Sequence, residues 1–163
     1  EIMALCQDVL GELDIKEVKT RLNNLVWPGR MQVMSEKPFV LLDACINKAS
    51  AEIVKDVITH MGFKQVNTII GIPDDKDYVG VAKAMESISK TIILTKSQNV
   101  HYVFTTLQQE DLSQHNIESV WIDSVEEALN KAKSLGGPTV ILGTTSVVSE
   151  VCKIYEKQRT KTN

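Results

Sequence analysis

The sequence contains no glycine-rich loop ending in Gly-Lys-Ser or Gly-Lys-Thr, so the chain carries no self-contained cradle for a nucleoside triphosphate. No apolar run approaches the roughly 20 residues that a membrane-spanning helix needs, and the N-terminus lacks the basic and apolar regions of a signal peptide. Cysteine is scarce. Cys6, Cys45 and Cys152 are odd in number, have no metal-type spacing, and fall in apolar stretches where a free thiol packs as a small hydrophobe. A disulfide framework is thereby excluded, and a reducing cytoplasm is the expected compartment. His60, His101 and His115 lack partner spacing for metal or nucleophilic chemistry, so no metal site and no catalytic residue is expected within the chain. Strong charge is also missing: 18 Lys and Arg against 21 Asp and Glu leave a formal charge of -3. Neither nucleic acid nor an anionic membrane is attracted at long range, and any phosphate contact must come from a few placed residues.

What is present suffices for one domain. With 163 residues, 43% of them hydrophobic and 24% charged, the chain can bury roughly 70% of the surface it would expose unfolded. Leu5, Val9, Leu10, Leu13, Val18, Leu22 and Leu25 lie at helical spacings, with an interruption near Gly11 to Asp14, so two short helices are expected over Ile2 to Leu25. Trp27-Pro28-Gly29-Arg30 stops that periodicity and reads as a linker. Short strands at Met31 to Met34 and Phe39 to Asp43, joined by Ser35-Glu36-Lys37-Pro38, predict an antiparallel hairpin. Strand and helix then alternate. A helix from Asn47 to Met61 ends at Gly62; a strand covers Val66 to Ile72, a helix Asp77 to Ser89, and a strand Thr91 to Thr95. The segment up to His115 has no clear period. After it come a strand at Ser119 to Ile122, a helix at Val125 to Leu135 with Ser124 and Glu127 as a capping box, a break at Gly136-Gly137-Pro138, a strand at Thr139 to Leu142 and a helix from about Thr145 to Lys157. Residues 158 to 163 read as a frayed tail. The alternation predicts an α/β fold: a Rossmann-like, mostly parallel sheet with one antiparallel edge hairpin and helices on both faces.

Ligands of such sheets sit beyond the carboxyl ends of the strands, which directs attention to particular loops. Arg30 follows a restrained turn, and its guanidinium suits phosphate oxygens; a plain surface arginine is the alternative. Asp43 ends a strand and Asn47 opens a helix, so the pair can offer a carboxylate for ribose hydroxyls and an amide, or serve as turn and cap residues. Lys76, set in Asp74-Asp75-Lys76-Asp77, can meet a substrate carboxylate or phosphate, or be an exposed residue at an acidic helix start. Gly143-Thr144-Thr145-Ser146 supplies hydroxyls and free amides to an anion, or an ordinary helix cap.

Taken in order, these motifs resemble folylpolyglutamate synthase, a member of the Mur ligase superfamily, over essentially the whole chain. Trp27-Pro28-Gly29-Arg30 and Met31-Gln32-Val33 look like its linker motif, and Phe39-Val40-Leu41-Leu42-Asp43 like the strand entering its Asp-Gly-Ala-His-Asn signature. Gly71-Ile72 with Asp75-Lys76-Asp77 is similar to its Gly-Val and Asp-Lys-Asp motif, Thr91 to Thr95 to the strand after it, and Gly143-Thr144 through Ser149-Glu150-Val151 to its last stretch. The resemblance implies that residues 1–26 are the last helices of a central ATPase domain, 27–30 a linker and 31–157 the C-terminal ligase domain. It implies a P-loop upstream; the start at Glu1 instead of Met agrees with a piece of a longer polypeptide. The implied reaction uses ATP to phosphorylate a folate carboxylate, which the amino group of glutamate then attacks. ATP and magnesium would be bound mostly outside this chain, and its partners would be ATP, glutamate, folate and its own ATPase domain, in a monomer. Arg30, Asp43 and Asn47 would face the nucleotide, and Lys76, Thr144 and Ser146 the glutamate. The family histidine is Ile46 here, its serine Thr144 and its tyrosine Ser146. Two readings follow: the closing domain of a ligase that is inactive on its own, or a non-catalytic nucleotide-binding or structural relative.

Overall fold

Residues 14–25 and 27–162 are described by the structure, a computed structural model. The first of the two N-terminal helices expected, and Cys6, lie outside the described residues. The second is α1, Ile15–Asn23, which starts where the Asp14 carboxylate accepts hydrogen bonds from the Lys16 and Glu17 amides. Next comes a six-stranded sheet made of β1 (Gln32–Glu36), β2 (Phe39–Asp43), β3 (Val66–Gly71), β4 (Ser89–Thr95), β5 (Val120–Ile122) and β6 (Thr139–Gly143). Between the strands lie α2 (Lys48–His60), α3 (Tyr78–Met85), α4 (Leu107–Gln114) and α5 (Val125–Leu135), and α6 (Thr145–Thr162) follows the last. The spatial order is β1-β2-β6-β3-β4-β5, with β1 antiparallel to β2 and every other pair parallel. The expected mixed sheet is therefore present.

Strand residues alternate between two cores, as the period of two requires. Leu41, Ile70, Ile92, Leu94, Val140 and Leu142 face α2, α3 and α4 through Val54, Ile58, Met85 and Leu112. Their neighbours Val40, Leu42, Ile69, Ile93 and Ile141 face α5 and α6 through Val125, Ala128, Ala132, Val147 and Val151. Because both faces are covered, the central strands read as unbroken apolar runs in the sequence. The last strand returns across the sheet to lie between β2 and β3, so the carboxyl ends of β2, β6 and β3 meet at the point where the winding reverses.

Several boundaries differ from the sequence expectation. β1 continues to Glu36 because Ser35 and Glu36 pair with Val40 and Phe39 after a bulge between Val33 and Ser35, leaving only Lys37 and Pro38 as the turn. The helix expected at Asp77 to Ser89 is α3 followed by a 3₁₀ turn at Glu86–Ile88; Ser89 already belongs to β4 and pairs with Val66. The unclear segment contains α4, whose stripe is hidden because the buried Gln108 occupies a core position. Finally, α6 runs to Thr162, past Lys157 and through most of the tail expected to fray, consistent with its good helix formers Lys157, Gln158 and Arg159. Among the described residues no helix is long and apolar enough to cross a membrane.

Candidate functional site

The turn that carries Arg30 is bolted to the end of β2. Gly29 has φ +70, and a Cβ there would sit 2.5 Å from Cγ1 of Val148 on α6, so only glycine lets the linker lie this close. The Gly29 carbonyl accepts from the Ala44 amide at 2.7 Å. The Met31 amide donates to Oδ2 of Asp43 at 2.8 Å. Arg30 itself donates from Nη1 to the Ala44 carbonyl at 2.8 Å, 3.9 Å from Oδ1 of Asp43. Asp43 is buried, whereas the Arg30 side chain is 58% exposed. One oxygen of the carboxylate thus holds the linker backbone, the other faces Arg30, and most of the guanidinium looks outward.

Beside them, the amino ends of α2 and α3 are joined by one carboxylate. Oδ1 of Asp77 caps α3 by accepting from the Gly80 amide at 2.9 Å, and its Oδ2 accepts from the Lys48 amide, the first residue of α2, at 2.9 Å. Asn47 caps α2, its Oδ1 accepting from the Ser50 amide and hydroxyl at 3.0 Å each. Lys76 lies on the exposed rim, 2.9 Å from Oδ2 of Asp75, and that hydrogen bond and charge raise its pKa and keep it cationic. Burial pushes the Cys45 thiol to about 11, which leaves it protonated and unreactive.

A second group of polar atoms forms where β3, β4 and β6 end. The Thr144 amide donates to the Gly71 carbonyl at 3.3 Å. Oγ1 of Thr144, at the start of α6, is buried without a hydrogen bond, and so is Oγ1 of Thr95 on β4. Asn99 donates from Nδ2 to the Ser146 hydroxyl at 2.7 Å, while the Gln98 amide donates to Glu150 at 2.7 Å, so the loop after β4 is tied to α6. Small hydroxyls, an amide and the first turn of an 18-residue helix make a patch that suits an anion.

The structure therefore brings Arg30 and Asp43 into contact, and Thr144 and Ser146 onto one helix start, all at the carboxyl edge of the sheet. Asn47 has its side-chain oxygen committed to a cap, and Lys76 is paired with its neighbour. Sequence reasoning placed Asp77, Thr95 and Asn99 in the strand-end loops where ligands sit but did not single them out as site-shaping residues. Asp77 was legible as a cap three residues before Gly80; the other two carry no local signal. Among the described residues no group of three or more His, Cys, Asp or Glu side chains could hold a metal ion.

No protein-family model matches the chain. A probable bifunctional folylpolyglutamate synthase/dihydropteroate synthase of Haloferax volcanii is 22% identical over 155 residues, covering 91% of this chain and 18% of that protein. The folylpolyglutamate synthase of Lacticaseibacillus casei is 22% identical over 125 residues, 77% of this chain and 29% of its own length. The crystal structure of Mycobacterium tuberculosis folylpolyglutamate synthase complexed with ADP and AMPPCP matches 90% of this chain with a TM-score of 0.76 at 22% identity. The proteins this chain resembles, in sequence and in fold alike, are folylpolyglutamate synthases. The bifunctional folylpolyglutamate synthase/dihydrofolate synthase of Yersinia pestis, complexed with AMPPNP and a Mn ion, matches 89% of the chain with a TM-score of 0.76 at 20% identity. The chain spans about a third of these two solved synthases, 36% and 35% of their lengths. Its six-stranded mixed sheet is the fold of the synthases' C-terminal domain.

Proposed function

We propose that the chain is the nucleotide-closing C-terminal domain of an ATP-dependent folylpolyglutamate synthase in the cytoplasm. The observation that carries this is the pairing of Arg30 with Asp43 at the winding reversal of the sheet, where a fixed turn presents an outward guanidinium. Relatives of this fold are complexed with ADP, AMPPCP, or AMPPNP with a Mn ion, and one holds AMPPNP and L-glutamate together. In the closed state Arg30 turns onto the nucleotide phosphates, Asp43 offers Oδ1 to the ribose, and Asn47 lines the same crevice. Lys76, Thr144 and Ser146 face the glutamate carboxylates, and closure excludes water from the acyl phosphate. The ATP cradle and the magnesium belong to an ATPase domain outside this chain, so the isolated chain performs no ligation. Such a ligase would work as a monomer.

The test is glutamate-dependent ADP release with a folate acceptor, measured on the protein encoded by the complete reading frame, with Arg30→Ala beside it. Release that falls at least about 100-fold in Arg30→Ala is expected, the scale of losing a charge contact made in the transition state. No release above background from the folded protein would remove the ligase reading. That result would favour the second reading, a non-catalytic relative, for which the specific observation is apolar Ile46 at the position of the family histidine.

A further inference from the structure

A cleft of about 240 Å³ opens at the other edge of the sheet, between the β1–β2 turn, the last turns of α5 and the middle of α6. It lies at the amino ends of β2 and β6. Val40, which lines it, lies three residues before Asp43 along β2, a span of roughly 10 Å at the rise of a strand. Buried Val40, half-buried Leu129 and the half-buried ring of Tyr155 form its apolar floor, all packed on the core beneath α5 and α6. Gly136 and Gly137, with φ +67 and +84, form one side, and a Cβ on either would meet nothing within 4 Å. Lys37 and Lys133 stand over the floor, and no carboxylate lines the cleft among the described residues.

Lys37, Lys133 and the Tyr155 hydroxyl are the groups available to a ligand here. Neither lysine has a carboxylate within ion-pair distance among the described residues, and the Tyr155 hydroxyl has no hydrogen bond there. Burial raises the Tyr155 pKa, so the phenol keeps its proton for donation. Because α5 ends at this cleft, its last carbonyls contribute partial negative charge. One ammonium offsets that fraction, which leaves the second in excess. An apolar floor with a few polar groups is the usual anatomy of a small-molecule site, and two ammonium groups with no carboxylate in the lining favour an anion.

We infer that this cleft is a second binding site, for a small carboxylate whose apolar body rests on Val40, Leu129 and Tyr155 and whose anionic head meets Lys37 and Lys133. The site stands apart from the nucleotide reading and does not depend on it. It is tested on the ¹⁵N-labelled 163-residue chain by titration with benzoate and with benzamide, its neutral isostere, while the amide resonances of Gly136 and Gly137 are followed. Both lysines are exposed, so the double variant K37E/K133E keeps the fold, which its spectrum verifies. Saturable benzoate shifts at the two glycines, none with benzamide, and about a tenfold or greater loss of affinity in the double variant are expected. Absence of shifts at these glycines, an equal response to benzamide, or unchanged affinity in K37E/K133E overturns the assignment.

Discussion

Replacing Gly29 by alanine tests whether the Arg30 turn is set by packing on α6 or by the backbone alone. Two costs add. A side chain at φ +70 costs about 1–2 kcal/mol. The new methyl would lie 2.5 Å from Cγ1 of Val148, well inside the roughly 3.5–4.0 Å of a relaxed carbon contact, so overpacking adds about 1–3 kcal/mol. G29A should therefore lose about 3 kcal/mol in urea unfolding, which at a slope near 2 kcal/mol/M moves the midpoint down by roughly 1.5 M. G62A is the control: Gly62 has φ +87 and nothing within 4 Å of its Cβ position, so it carries the backbone cost alone, about 1 kcal/mol. Adding V148A to G29A should recover about 1–2 kcal/mol as coupling between the sites. Equal midpoints for G29A and G62A, or strict additivity of G29A with V148A, would refute the packing argument.

Other outcomes follow from the same geometry. Asp77→Ala loses the α3 cap and the bond to Lys48 at once, so it should cost about 2 kcal/mol of stability, with Asp77→Asn in between because it keeps one acceptor oxygen. Thr144→Val removes a buried hydroxyl without a partner, so in thermal unfolding it should be neutral or stabilising by up to about 1 kcal/mol, yet in the complete ligase it should raise the KM for glutamate. Cys45 ionises near 9 when exposed and near 11 in the fold, so the unfolded chain loses its proton first as pH rises; stability is complete below pH 9 and declines through 11. Denaturant midpoints across that range should fall, and C45A should flatten the slope; an unchanged slope would show that the thiol is not held protonated by burial.

The fold was legible wherever local signals agree. Ser124 does cap α5, accepting from the Glu127 amide, and α5 spans Val125–Leu135 as the stripe predicts. Gly136 and Gly137 break the chain with positive φ, and the apolar runs at Leu41, Ile69, Ile93 and Ile141 are the central strands. Helix α4 was not legible, because Gln108 is buried by donating to the Ile72 carbonyl and to Asp74, contacts that no periodicity announces. Of the site, the Trp-Pro-Gly turn before Arg30 and the position of Asp43 at a strand end could be read directly. That Asp43 grips the Met31 amide could not, since Met31 precedes β1 and Asp43 ends β2, and only the hairpin pairing brings them together.

By itself, then, the sequence determined the elements other than α4, the two-faced apolar pattern and the loops where chemistry could lie, because each depends on residues a few positions apart. Tertiary structure alone decided that β6 inserts between β2 and β3, and with it that Gly143 pairs with Gly71 while Thr144 bonds to the Gly71 carbonyl. It also decided that one Asp77 carboxylate serves two helices, that Asn99 reaches Ser146, and that a lysine-rimmed cleft forms at the far edge of the sheet. The physical reason is the same in each case. These contacts join groups far apart in the chain, and only the packing of two helical layers on one strand order holds them within hydrogen-bond reach.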